Sequence, residues 1–251
     1  AVWQPLFEGL PSNVSFVGAD LTGKHKGIWG LNSLYSQLKR LHIDYVADFH
    51  HVLRSKYLCL RFRLANIPVA SIRKGRTGKK KLVRRHHKVL ENQKSSFRRY
   101  ADVLEELGFP VLLNFSSIYG EGKGDFSEIE PVTGPKGNQK WIGIAPFAKH
   151  RGKIYPIELQ EQVVAHFAAN PDVQVFLFGG GRSEQEIFDS WTAKYPSVVS
   201  MIGKLNMRTE LNLMSHLDVM LSMDSANMHL ASLVNIPVVS VWGATHPYAG
   251  F

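Results

Sequence analysis

The feature that most constrains this chain is a regular alternation of short apolar, β-branched runs with longer stretches of helical periodicity. In the C-terminal half the runs are Trp141 to Ala145, Val173 to Phe178, Ser197 to Ile202, Val219 to Ser222 and Val238 to Trp242, with helical patterns at Ile157 to Ala169 and Glu184 to Tyr195. The N-terminal half keeps the same rhythm. Val14 to Gly18, Tyr45 to Phe49 and Pro68 to Ile72 read as strands; Gly30 to Leu41, Leu53 to Ala65 and Ser96 to Leu107 read as helices, the last stopped by Gly108. Alternation at this pitch implies a parallel sheet with helices on both faces, twice over.

A chain of 251 residues that is 44% hydrophobic holds enough apolar side chains for two medium cores. Residues 118–140 break the rhythm with Gly120, Gly122, Gly124, Pro131, Gly134, Pro135 and Gly137 among charges, a linker composition. The expected organisation is therefore an N-terminal domain over 1–117, a linker over 118–140 and a C-terminal domain over 141–251. Residues 1–10 read as the tail of a helix, and both ends of the chain look cut.

The single cysteine, Cys59, excludes an internal disulfide and a cysteine metal cluster, and fits a reducing, cytoplasmic setting. No apolar run reaches the roughly 18 residues of a membrane span. The net charge of +9 lies in one half: residues 1–137 carry 22 Lys and Arg against 12 Asp and Glu, and residues 138–251 carry 8 against 9. Twelve of those cations fall between Arg73 and Arg99, a stretch that reads as a basic loop, with Glu91 as the one acid there. The N-terminal half is thus suited to a polyanion. Phe97 is the one Phe, Tyr or Trp in that stretch, too little for single-strand stacking, so a nucleic acid is not the expected partner.

Chemistry concentrates at three strand-to-helix turns of the C-terminal half. Met223-Asp224-Ser225-Ala226-Asn227-Met228-His229 ends an apolar run and opens a helix, placing backbone N–H groups and small polar side chains where an anion such as a diphosphate binds. Ala148-Lys149-His150-Arg151-Gly152-Lys153 follows the first strand of this half, and Phe178-Gly179-Gly180-Gly181-Arg182-Ser183-Glu184 follows the second. In a doubly wound sheet all three line one edge. The glycine turn lacks the dinucleotide and P-loop spacings. A nucleotide diphosphate satisfies all three turns together, with Glu184 placed for ribose hydroxyls. No metal-ligand spacing stands out: His50-His51 and His86-His87 are adjacent pairs, and no Asp-x-Asp occurs. No metal and no other cofactor is expected.

Met223 to Ala231, with Pro237-Val238-Val239-Ser240-Val241-Trp242-Gly243-Ala244-Thr245, resembles the donor-site signature of the ADP-heptose:lipopolysaccharide heptosyltransferases, glycosyltransferase family 9. Lys153-Ile154-Tyr155-Pro156 is similar to that family's Lys-x-Trp-Pro element, with Tyr155 in place of Trp. Ala47-Asp48-Phe49-His50, Leu53-Arg54-Ser55-Lys56 and Arg84-Arg85-His86-His87 resemble family segments as well.

The resemblance implies the GT-B fold, two Rossmann-like domains facing a cleft, and an inverting, metal-independent transfer of heptose from ADP-heptose to the Kdo and lipid A inner core during lipopolysaccharide biosynthesis. Donor contacts would come from Ala148, Lys149, Lys153, Glu184, Asp224, Ser225, Ala226 and His229, with Lys153 stabilising the charge of the diphosphate. Acceptor contacts would come from Lys24, Lys26, Arg76 and Arg98, and the enzyme would be cytoplasmic or peripheral on the inner membrane face. The family's proposed general base belongs to a Gly-Asp motif with no counterpart in this sequence, so the chain is expected to be inactive in transfer. Two other readings stay open: a nucleotide-sugar epimerase of the same fold, and a non-enzymatic module that binds polyanions through Arg73 to Arg99.

Overall fold

The computed structural model describes Phe7 and residues 11–250, which fall into two compact α/β units. Residues 11–114 form the first unit together with 247–250; residues 115–246 form the second. The expected helix tail over residues 1–10 lies outside the described residues, Phe7 excepted.

In the first unit the chain runs α1 (Gly27–Lys39), β1 (Val46–Asp48), α2 (Leu53–Leu64), β2 (Val69–Ser71), α3 (Arg76–Leu82) and α4 (Ser96–Glu106). β1 and β2 pair in parallel, from Val46 opposite Val69 to Asp48 opposite Ser71. Ala70, Ile72 and Val103 form the buried centre, and the Tyr35 ring meets Phe62 edge-on at 4.9 Å between α1 and α2. Two expectations need correction. Val14 to Gly18 is not a strand: Val14, Phe16 and Val17 are exposed, and no neighbouring strand takes up their backbone groups. The basic stretch is not wholly a loop, because Arg76 to Leu82 forms α3, which starts at a left-handed Gly75 and buries Leu82.

The second unit runs α5 (Glu130–Thr133), β3 (Lys140–Ala145), α6 (Ile157–Ala168), β4 (Val173–Leu177), α7 (Arg182–Lys194), β5 (Val198–Ser200), α8 (Met207–His216), β6 (Val219–Met223), α9 (Ala226–Leu233) and β7 (Val238–Val241). Its five strands are all parallel, in the order β5-β4-β3-β6-β7. The two-residue period of a strand divides the core. Trp141, Ala145, Phe176 and Met220 pack with Leu211 and Met214 of α8 and Leu230 of α9, while Ile142, Ile144, Val175 and Leu177 pack with Val164 of α6 and Phe188 and Trp191 of α7. Helices therefore cover both faces, as the alternation in the sequence requires.

Residues 118–140, expected as a linker, pack within this unit. Ile129 is wholly buried, Phe126 stacks on Trp141 at 5.9 Å, and Lys136 Nζ lies 5.4 Å over the Trp141 ring. Polar bonds tie the segment to α8: Tyr119 Oη donates to Asn212 Oδ1 at 2.6 Å, Asn212 Nδ2 to Glu128 Oε2 at 2.8 Å, and the Gly124 N–H to Ser215 Oγ at 2.9 Å. α8 begins with a reciprocal cap in which Asn206 Oδ1 accepts from the N–H groups of Arg208 and Thr209 while the Asn206 N–H donates to Thr209 Oγ1.

Candidate functional site

The strand order fixes where ligands gather in the second unit. After β3 the chain crosses to β4 on one side, and after β6 it crosses to β7 on the other, although β3 and β6 are neighbours with Ala145 opposite Ser222. The loops leaving their carboxyl ends start at this switch point, the place where open parallel sheets bind ligands. One loop is 146–156, with Ala148, Lys149 and Lys153; the other is Asp224-Ser225 at the start of α9.

These loops meet through one ion pair. Lys153 Nζ lies 2.6 Å from Asp224 Oδ2 and 3.5 Å from the Asp224 carbonyl oxygen. Asp224 is 4% exposed, and Thr245 Oγ1 donates to the same Oδ2. A carboxylate this buried is tolerated because a cation and a hydroxyl compensate it. Lys153 thus reaches the carboxylate, where the sequence alone placed it on a diphosphate. An ammonium has three donors, so two directed at Asp224 leave one for a ligand oxygen.

Backbone packing holds the arrangement closed. The Ala244 N–H donates to Gly152 O at 2.8 Å, and the Tyr155 N–H donates to Met223 Sδ at 3.4 Å. A Cβ on Gly243 would come within 2.4 Å of Gly152 O, so only glycine lets the turn after β7 approach this loop. At the start of α9 the Ser225 side chain makes no cap; its Oγ lies 3.2 Å from Ser222 Oγ. The first-turn N–H groups, Ala226 among them, keep their anion-binding capacity.

His229 stands one turn into α9 and is exposed as a residue, yet partial desolvation of its ring lowers its pKa, with Asp224 opposing and Lys153 reinforcing the shift. His216 shifts downward too: burial leads, the bond to Gly124 O opposes, and Lys123 and Lys136 add to it. Each histidine binds a proton more tightly in the unfolded chain. Their contribution to stability is complete above about pH 6.5, their ordinary value, and is lost as pH falls through the folded-state values. Urea midpoints measured from pH 8 to pH 5 are expected to fall below pH 6.5, with a shallower fall in His216→Gln.

Glu184 caps its own helix. Its Oε2 accepts from the Gly180 N–H at 2.8 Å, which orients the carboxylate at the glycine turn after β4, beside β3 in the sheet. The three turns expected to share a sheet edge do share it. Lys149 and Ala148 lie on the β3 loop without a side-chain bond to Asp224. Thr245 is the residue that sequence reasoning missed; it sits at the end of the Gly243-Ala244-Thr245 element, but nothing local in the sequence pairs it with Asp224.

The sequence profile of glycosyltransferase family 9 (heptosyltransferase) matches residues 31–249. The chain belongs to this family. Among solved structures it is similar to a family 9 glycosyl transferase from Veillonella parvula, with TM-score 0.72, 18% identity, and coverage of 99% of this chain and 72% of that one. It is similar to ADP-heptose LPS heptosyltransferase II of E. coli, with TM-score 0.63, 19% identity and coverage of 98% and 75%. Likeness to E. coli heptosyltransferase WaaC with ADP has TM-score 0.60, 15% identity and coverage of 88% and 67%. At these identities the structural likeness is one of fold, GT-B in each case. No curated protein matches the chain by sequence. Family membership makes the protein a glycosyltransferase.

Of the four expected acceptor residues of this family 9 chain, one lines a cavity. Arg76 opens α3 and lines a cavity of about 620 Å³ in the first unit with His51, Lys56, Arg63, Arg73 and Lys74. Lys24, Lys26 and Arg98 do not line it. Lys24 and Lys26 are exposed beside the start of α1, and Arg98 is engaged on α4 by Asp102 at 3.4 Å and Glu105 at 3.5 Å. Beside this cavity, burial raises the pKa of Asp48, but the N–H groups of His51 and His50 and the Ser55 hydroxyl outweigh it and hold the carboxyl below its usual range. Burial and the neighbouring Asp48 push the Cys59 thiol up to about 11, which removes it as a nucleophile near neutral pH. Among the described residues no group of three or more His, Cys, Asp or Glu is placed to hold a metal ion, and no helix is long and apolar enough to cross a membrane.

Proposed function

We propose that the second unit binds the nucleotide diphosphate of an ADP-sugar, with heptose as the sugar, for inverting transfer without a metal to a Kdo-bearing lipid A acceptor in lipopolysaccharide core biosynthesis. The observation that carries this reading is the meeting of Lys153 and Asp224 at the β3/β6 switch point, beside the uncapped start of α9. There the Lys153 ammonium and the first N–H groups of α9 compensate the diphosphate and stabilise it as it leaves with the developing charge. Backbone at Asp224, Ser225 and Ala226, with His229, holds the pyrophosphate and sugar; Ala148 and Lys149 flank it, and Glu184 takes the ribose. E. coli WaaC, whose fold this chain shares, is solved with ADP, which supports adenine as the base.

The acceptor is proposed to meet the first unit through its basic residues, Arg76 with the cavity cations foremost, then Lys24, Lys26 and Arg98. Phosphates and carboxylates of the acceptor match that charge, as does work at the cytoplasmic face of the inner membrane. Transfer also needs a base to take the proton of the acceptor hydroxyl.

A thermal-shift titration tests the reading. ADP is expected to raise the unfolding midpoint at low salt and at 150 mM salt alike, and UDP to raise it less. Salt-sensitive DNA binding with no shift from ADP would contradict it and favour the polyanion-binding module.

A further inference from the structure

The donor-site loop leaves β3 at Pro146 and enters α6 after Pro156, and one side chain reaches both of its ends. Gln160, on the first turn of α6, is 3% exposed. Its Nε2 donates to Pro146 O at 2.7 Å and to Tyr155 O at 3.1 Å. Its Oε1 is buried without a hydrogen-bond partner. Turning the amide over would point that oxygen at two carbonyl oxygens, so the orientation is set by its neighbours.

This is an unfavourable way to fill a core position. An apolar side chain of the same length would spare the stranded Oε1, but it would leave the carbonyl oxygens of Pro146 and Tyr155 without this donor. What Gln160 supplies in return is geometry: both N–H groups of one rigid amide fix the two ends of the segment that bears Ala148, Lys149 and Lys153. Ala244 N–H to Gly152 O, Tyr155 N–H to Met223 Sδ and the Lys153–Asp224 ion pair tie the same loop to its neighbours.

We propose that Gln160 is a positioning residue for the donor site, holding the 146–155 loop so that Lys153 stands at Asp224 ready for a diphosphate. The loop-clamping role rests on the bonds of Gln160 alone; its consequence for the donor rests on the function proposed above. The test uses Gln160→Met, which keeps the length and removes both donors, in the full chain. Amide hydrogen exchange of residues 147–155 is expected to speed up about tenfold, the effect of losing about one net hydrogen bond, while β3 and β4 keep wild-type protection. ADP affinity by calorimetry is expected to fall about tenfold in Gln160→Met, but to change little when Gln160→Met is made in the Lys153→Ala background, because both changes act on one group. Unchanged exchange in the loop would overturn the clamp. Faster exchange with unchanged ADP affinity, or a loss additive with Lys153→Ala, would overturn its link to the donor. If wild-type chain takes up no ADP, the donor reading falls, and exchange by itself decides the role of Gln160.

Discussion

Replacing Asp224 with Ala is expected to lower the stability of the second unit by about 2 to 3 kcal/mol in urea unfolding. The substitution strips Lys153 of its carboxylate partner in the interior edge of the sheet and leaves Thr245 Oγ1 without its acceptor. The loss stays at the lower end for a broken buried pair because the Lys153 side chain keeps 20% of its surface in solvent and can recover part of its hydration. Asp224→Asn keeps an acceptor for Thr245 and removes the charge, so it should fall between wild type and Asp224→Ala. A change of less than about 0.5 kcal/mol in Asp224→Ala would mean that the pair behaves as an exposed one.

Trp141→Ala is expected to cost more, about 3 to 5 kcal/mol. Trp141 is 1% exposed on the central strand, where its ring meets Phe176 edge-on at 4.8 Å and stacks with Phe126 at 5.9 Å. Removing it leaves a void that neither a β-strand nor the capped α8 can collapse into. Since Phe126 and Ile129 rest on the same cluster, residues 118–137 should lose hydrogen-exchange protection together with β3. Protection lost in β3 alone would show that this segment is independent of the sheet.

Much of the fold was legible because strand and helix periods are local. The five strands of the second unit fall within a residue or two of their expected runs, and the switch point follows from their order once the sheet is seen. Residues 118–140 misled for a physical reason. Glycine and proline report that a segment lacks regular structure; they say nothing about whether Phe126 and Ile129 find a core to enter. Val14 to Gly18 misled in the opposite sense, since β-branched residues make a strand only where a neighbour accepts their backbone bonds. α8 was missed although Asn206 and Thr209 form a recognisable cap, because its turns bury polar Asn212 and Ser215 beside Leu211, Leu213 and Met214 and blur the amphipathic period. In the site, the turns were visible as motifs, but the pairing of Lys153 with Asp224 spans 71 residues and Thr245 a further 21, separations at which only the folded sheet makes neighbours.

The most direct measurement is calorimetric titration of ADP into the wild-type chain and into Lys153→Ala at pH 7.5 and 150 mM salt. Saturable one-to-one binding by wild type, weakened about 10-fold to 100-fold in Lys153→Ala, is the expected result, in keeping with a charge-assisted bond to the diphosphate. No binding by wild type, or equal affinity in the two proteins, would contradict a donor site built on Lys153 and Asp224.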